Sequence, residues 1–162
     1  MDSFIFNWLP ISGLQAALAA PFGEVWIALV FLAITASAYA SGIPGTLLPI
    51  SFTSGALLGV GLGALAVAVG AMIGSMVLYH VLERGSHATI RQRYGHKLAR
   101  LDALAAGKGI VPLIMLRLAG LPHIAVTGLC ALANVGPRRY AIATAIGVLP
   151  AIGLSSLAGS AL

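Results

Sequence analysis

An uncharged run limits what this chain can fold into more than any other feature. No Asp, Glu, Lys or Arg occurs from Val25 to Leu82, and none occurs from Tyr140 to Leu162. Charged residues make up 8% of the chain, against roughly 25% in soluble domains. Since a membrane-crossing helix needs about 20 apolar residues, the first run is too long for two crossings and too short for three. We therefore expect an all-α, polytopic integral membrane protein.

Basic residues between two apolar regions indicate topology rather than nucleic-acid binding. They are Arg84, Arg91, Arg93, Lys97, Arg100 and Lys108. Loops on the cytoplasmic side of a membrane carry an excess of Lys and Arg. The segment 83–108 is therefore predicted to be a cytoplasmic surface helix facing anionic lipid. We expect no nucleic-acid partner, and the compact chain suggests a bacterial inner membrane.

Hydropathy divides the chain into an interfacial segment and one membrane domain. Residues 1–23 contain several aromatic residues and are predicted to form an amphipathic helix on the membrane surface. Residues 24–162 form the predicted membrane domain. Its predicted spans are 24–41, 61–82 and 140–162.

Proline and glycine interrupt the remaining apolar segments, 42–61 and 109–136. "SGIPGTLLPISFTSGALLGVG", residues 41–61, holds two prolines and five glycines but no charge. Proline removes a backbone donor and glycine weakens a helix. Broken backbone survives in a membrane only where protein or a water-filled cavity covers it. We predict that each segment is a re-entrant helical hairpin, which enters and leaves the bilayer on one side.

The second segment has an alternative interpretation as a plain transmembrane helix over 110–134. That crossing would place the basic segment and the pair Arg138 and Arg139 on opposite sides of the membrane. A re-entrant hairpin would place both on the cytoplasmic side, as the distribution of positive charge favours.

An internal repeat is visible when the sequence is shifted by 73 positions. The matching pairs are Pro49 with Pro122, Ser54 with Thr127, Gly55 with Gly128, Gly63 with Gly136, and Gly74 with Gly147. Chance matches in a chain rich in Gly and Ala are the alternative. One crossing separates the units, so a true repeat would be inverted. Secondary transporters have this construction and bind substrate where their broken helices meet.

Two long stretches resemble the DedA family, also called the SNARE-associated Golgi protein or VTT-domain family. They are "IPGTLLPISFTSGALLGVGLGALAVAVGAMIGSMVLYHV" and "LIMLRLAGLPHIAVTGLCALANVGPRRYAIATAIGVLPAIGLSSLAGSAL". The order of the motifs carries the resemblance: a Pro-Gly-led hairpin, a Gly-Ala-x-x-Gly run, an Arg-Leu segment and a closing Gly-x-x-Pro span. It covers about residues 41–160.

The resemblance implies translocation of a phosphate-bearing lipid, either undecaprenyl phosphate or a phospholipid. Arg117 matches the arginine that opens the family's second re-entrant motif. His123 falls where many bacterial members carry a second arginine, and Gly45–Thr46, after Pro44, replaces the acid that many members show after Pro-Gly. These departures argue against acid-driven proton coupling. A membrane scaffold without transport is the alternative, because glycine-rich spans also suit a homo-oligomer.

Arg117 and His123 are the main candidates for binding a lipid headgroup. A charged side chain in apolar surroundings costs about 2.5–3.5 kcal/mol on insertion scales. The Arg117 guanidinium fits phosphate oxygens in a bidentate way, although reaching the membrane surface or binding backbone carbonyls would also accommodate it. His123 is suited to proton exchange or to a hydrogen bond across the hairpin.

The remaining candidates lie at the breaks and near the span ends. Pro44, Gly45, Pro49 and Pro122 are predicted to line the path of an anionic headgroup, which helix N-termini favour. Glu24 is a candidate partner for Arg117, or marks the membrane interface. Asn134 is a second pairing candidate, or makes a packing hydrogen bond. We find no catalytic constellation, no metal-ligand spacing and no cofactor motif, so we expect a protein that is not an enzyme.

Overall fold

Helices account for nearly all of the described chain. The computed structural model describes residues 22–107, 111–118, 122–132 and 135–161, with the backbone alone for 86–107, 112, 116–118 and 132. The helices are α1 (Gly23–Ala40), α2 (Leu47–Gly107), α3 (Val111–Leu118), α4 (His123–Leu132) and α5 (Pro137–Ser160). The described ranges contain no strand, and the all-α prediction is confirmed. The predicted interfacial helix within 1–23 lies almost wholly outside the described residues.

Within the described residues, three helical stretches are long and apolar enough to cross a membrane. They are Gly23–Ala40, Leu47–Gly85 and Pro137–Ser160, and the predicted spans fall on them. The last helix begins at Pro137 rather than at residue 140, because proline suits the first helical position, where no intrahelical N–H bond is needed. The boundary predicted at residue 83 is not a break, since α2 continues to Gly107.

The first broken segment folds back on itself at Gly59. This residue has φ 73° and ψ 171° inside α2, a conformation that only glycine adopts readily. The Ser54 hydroxyl donates to the Gly63 carbonyl at 3.3 Å, whereas nine residues of continuous helix would separate them by about 13.5 Å. We call residues 47–58 the first arm of α2 and residues 60–85 the second arm.

Glycines let α1 pack closely against the second arm. A Cβ atom on Gly70 would overlap the Leu32 carbonyl, and one on Gly74 would overlap Ala36. The absence of a side chain at these two glycines therefore permits close helix contact. Gly70 is paired with Leu32, and Gly74, four residues later, is paired with Ala36, also four residues later. The helix α1 therefore runs parallel to the second arm. The first arm is antiparallel to both. The turn at Gly59 lies near the end of the predicted hairpin 42–61 rather than in its middle.

The second broken segment consists of two short helices. The helices α3 and α4 have 8 and 10 residues, so they are about 12 and 15 Å long and neither crosses a hydrocarbon core of about 30 Å alone. Pro122 lies outside both helices. A continuous helix over 110–134, the alternative interpretation, is therefore not observed.

Both ends of this second segment lie near the start of α5. Leu113 and Val135 belong to the buried cluster that surrounds Tyr140. His123, between them, instead lies beside Gly147, close to the middle of α5. This geometry is that of a hairpin with its tip at mid-height. The re-entrant path of each hairpin through a bilayer stays a prediction.

Contacts between the two long helices support the internal repeat. The ring of Tyr79 stacks on that of Tyr140, with centroids 4.8 Å apart. Shifting both positions by one repeat, in opposite directions, gives Ile152 and Val67, which share a second buried cluster. A two-fold axis has this property: when residue i of one unit contacts residue j of the other, their repeat equivalents are also in contact. The second arm and α5 are therefore antiparallel and related by approximate two-fold symmetry.

The short helices obey the same symmetry. In the first arm, a Cβ on Gly55 would overlap the backbone of Ser156, near the end of α5. In α4, the equivalent Gly128 lies against Leu82, near the end of the second arm. The first arm thus packs on α5, and α4 packs on the second arm, so each short helix contacts the long helix of the other repeat unit. Two inverted repeat units, as predicted from the sequence, have this arrangement.

Candidate functional site

The two broken connections meet at one cavity of about 290 Å³. Pro44 and Gly45 line it from the connection between α1 and the first arm of α2. Pro122 and His123 line it from the break before α4. Four of the residues predicted to line a headgroup path therefore come together, although about 80 positions separate the two pairs along the chain.

The middle of α5 forms another wall of the cavity. Gly147, Val148 and Ala151 contribute to the lining. The helix runs from Pro137 to Ser160, so these residues lie halfway along a stretch that is long enough to cross a membrane. The cavity is consequently at mid-height in the bundle, where the substrate sites of transporters built from inverted repeats lie.

An aromatic contact holds His123 against Tyr39, near the C-terminal end of α1. Its imidazole lies against the ring of Tyr39, with centroids 4.4 Å apart and planes tilted by 48°. Gly42, just after α1, has a φ of 69°, and a Cβ there would lie 2.8 Å from the Ile124 Cδ1, so that side chain would have to shift. The absence of a side chain at Gly42 therefore leaves room for Ile124 beside the end of α1.

Two helix N-termini face the cavity. The Thr46 carbonyl accepts the N–H of Ile50 at the start of α2, and the Pro122 carbonyl accepts that of Ala125 at the start of α4. The N–H groups of a first helical turn have no intrahelical partner, and the helix dipole makes this end partly positive. The arrangement favours an anion in the cavity.

Buried hydroxyl groups tie α4 to both long helices. The Thr127 hydroxyl donates to the His123 carbonyl at 2.8 Å. It also lies 2.8 Å from the Tyr140 hydroxyl, which in turn is 3.3 Å from the Ser75 carbonyl. Thr127 therefore makes a packing hydrogen bond between α4 and α5. The roles of the tyrosines were missed, although a tyrosine in an apolar span needs a partner for its hydroxyl.

Two predicted site residues lie away from the cavity. Pro49 lines a shallow apolar depression with Phe52 and Leu154 instead. Glu24 is exposed in the first turn of α1, about 22 Å along the helix from Tyr39 at a rise of 1.5 Å per residue. Neither side chain reaches the site at which the breaks meet.

The other two predicted residues fall outside what the structure describes in full. Arg117 is in the last turn of α3, immediately before the second break, and its side chain is outside the described part. Asn134 lies outside the described residues altogether. No cluster of three or more His, Cys, Asp or Glu side chains suited to a metal ion occurs in the described ranges.

The VTT-domain family model matches residues 43–161. The matched part begins in the connection that lines the cavity and includes both breaks. Since it covers most of the chain, the protein belongs to the VTT-domain family, that of the DedA and SNARE-associated Golgi proteins. No curated protein and no solved structure matches the chain.

Proposed function

We propose that this VTT-domain membrane protein moves a phosphate-bearing lipid, undecaprenyl phosphate or a phospholipid, between the leaflets of a bilayer. The observation that carries the proposal is the cavity where the two broken connections meet at mid-height. Non-helical backbone at membrane depth is tolerated where it lines a cavity. Transporters built from inverted repeats place their substrate sites at such breaks.

The cavity lowers the barrier that keeps a phosphate out of hydrocarbon. An isolated ionised group loses tens of kcal/mol of hydration free energy in an apolar medium. The N–H groups at the starts of α2 and α4 replace part of that hydration. With about 290 Å³ available, the cavity takes the headgroup alone, while the acyl or prenyl chains stay in the surrounding bilayer.

Arg117 supplies the positive charge in this mechanism. It immediately precedes the break that contains Pro122, and a guanidinium binds two phosphate oxygens at once. His123, held against Tyr39, forms part of the cavity wall together with Pro44. Alternate opening of the cavity toward each leaflet would move the headgroup across. No covalent bond changes, so the proposed activity is transport rather than catalysis.

Removing the Arg117 guanidinium tests the assignment. Reconstituted protein in liposomes that contain a fluorescent phospholipid or polyprenyl phosphate reports the rate of leaflet exchange. Arg117→Ala should slow the exchange roughly 10- to 100-fold, because hydrogen bonds to charged groups contribute about 1.5–3 kcal/mol. Arg139→Ala, at an exposed position at the start of α5, is the matched control and should retain the original rate. Equal rates for Arg117→Ala and the wild type would refute the role of Arg117.

The scaffold alternative predicts a different contact between the two hairpins. A protein that only assembles others needs a tightly sealed contact between its hairpins. The cavity lined by Pro44 and His123 favours transport over that alternative. A reconstituted wild-type protein that exchanges no lipid under any ionic condition would favour the scaffold.

A further inference from the structure

A shallow groove lies on the exposed face of the second arm of α2. This groove has a volume of about 620 Å³ and shares no lining residue with the central cavity. Its wall includes Met72, Ile73, Met76 and Val77, and His80 and Arg84 lie at one end. The groove is therefore apolar along its length and cationic at its end.

The length of the groove matches one leaflet. Met72 and Arg84 are about 18 Å apart along the helix, and half of a hydrocarbon core of about 30 Å is about 15 Å. Arg84 lies at the end of the stretch Leu47–Gly85, which is long enough to cross the membrane. Met72 is near the middle of the second arm. The groove is thus long enough to extend from a membrane surface to the midplane.

The charge at the end of the groove is available to a headgroup. Arg84 is exposed, so its guanidinium can reach the lipid phosphates at the interface. The His80 Nδ1 donates to the Met76 carbonyl at 2.8 Å, which fixes the imidazole beside the groove. The neighbouring acid, Glu83, is not among the lining residues.

We propose that this groove binds one anionic phospholipid, with its phosphate on Arg84 and one acyl chain along Met76 and Ile73. Charge complementarity identifies the headgroup, and the length of the apolar wall identifies the chain. The bound lipid belongs to the leaflet in which Arg84 lies. The proposal does not rest on lipid translocation, because a resident lipid at this site need not move.

Lipid binding to the purified full-length protein tests the charge. Delipidated protein is titrated with phosphatidylglycerol or with phosphatidylcholine of the same acyl chains, and bound lipids are counted by native mass spectrometry. The wild type should prefer phosphatidylglycerol about fivefold, since a basic residue at the surface contributes about 1 kcal/mol. Arg84→Ala should abolish the preference. Arg139→Ala should keep it.

A second pair of variants tests the apolar wall. Val77→Trp places a large ring in the groove and should reduce the binding of both lipids. Leu65→Trp, on the same helix and exposed outside the groove, should leave binding unchanged. Thermal unfolding of each variant shows that it is folded. A preference that survives in Arg84→Ala, or equal binding by the two tryptophan variants, would overturn the proposal.

Discussion

Glycine and proline positions determine where the backbone of this protein turns. At Gly59 the combination of φ 73° and ψ 171° lies in a region that side chains with a Cβ avoid. Gly42 and Gly45 also have positive φ, and both lie in the connection at the cavity. Pro49, by contrast, lies in the first turn of α2, where proline is tolerated. This explains why Pro49 does not break the backbone, although sequence reasoning placed it with the other prolines.

Gly59→Ala should destabilise the protein by about 1–3 kcal/mol, the cost of a residue held in a sparsely populated conformation. A Cβ at this position would contact nothing within 4 Å, so the loss would come from backbone strain alone. Thermal unfolding in detergent measures it. Gly61→Ala, also in open space but without a positive φ, is the control and should remain within about 0.5 kcal/mol of the wild type. Equal losses in the two variants would contradict the proposed turn.

At the scale of elements, the sequence predicted the two breaks that line the cavity better than it predicted the residue at which the chain reverses direction. Pro44, Gly45, Pro122 and His123 were found because breakers and polar residues stand out in apolar stretches. Ala151 was missed, because an alanine on the side of a helix joins a site only through tertiary packing. The turn at Gly59 was not distinguished from the neighbouring glycines, since composition does not reveal which of them has a positive φ.

Close packing between elements predicts a second loss of stability. Gly74→Leu should destabilise the protein by at least about 1–3 kcal/mol, the usual cost of overpacking, because its Cβ would overlap the Ala36 backbone and Tyr39. Gly153→Leu, at a half-buried position on α5 with nothing within 4 Å, should cost far less. Unfolding in increasing denaturant compares the two. A Gly74→Leu variant as stable as Gly153→Leu would show that α1 does not pack on the second arm as described.

At the scale of the whole molecule, the antiparallel packing of the second arm and α5 places Arg84 and Arg139 at one end of the bundle. The stack of Tyr79 on Tyr140 brings the end of the second arm level with the start of α5. Arg84 and Arg139 therefore lie at the same end, as the distribution of positive charge predicts for one side of a membrane. Gly61 lies at the other end of the second arm, and we predict that it faces the opposite side of the membrane.

Single cysteines should report this topology. In a Cys130→Ala background, Arg84→Cys and Arg139→Cys should react with a membrane-impermeant maleimide from the same side, and Gly61→Cys from the other. Labelling in spheroplasts and in inverted inner-membrane vesicles distinguishes the sides. Reaction of residues 84 and 139 from opposite sides would contradict the inverted arrangement.

The most direct test of the central claim is the rate of lipid exchange when the cavity is filled. Ala151→Leu adds volume to the part of the cavity wall that α5 forms, whereas Ala145→Leu adds it at a half-buried position of α5 outside the cavity. If headgroups cross where the two breaks meet, Ala151→Leu slows exchange about tenfold or more in liposomes, equivalent to about 1.4 kcal/mol of added barrier, and Ala145→Leu does not. Full exchange by a folded Ala151→Leu protein would contradict the account.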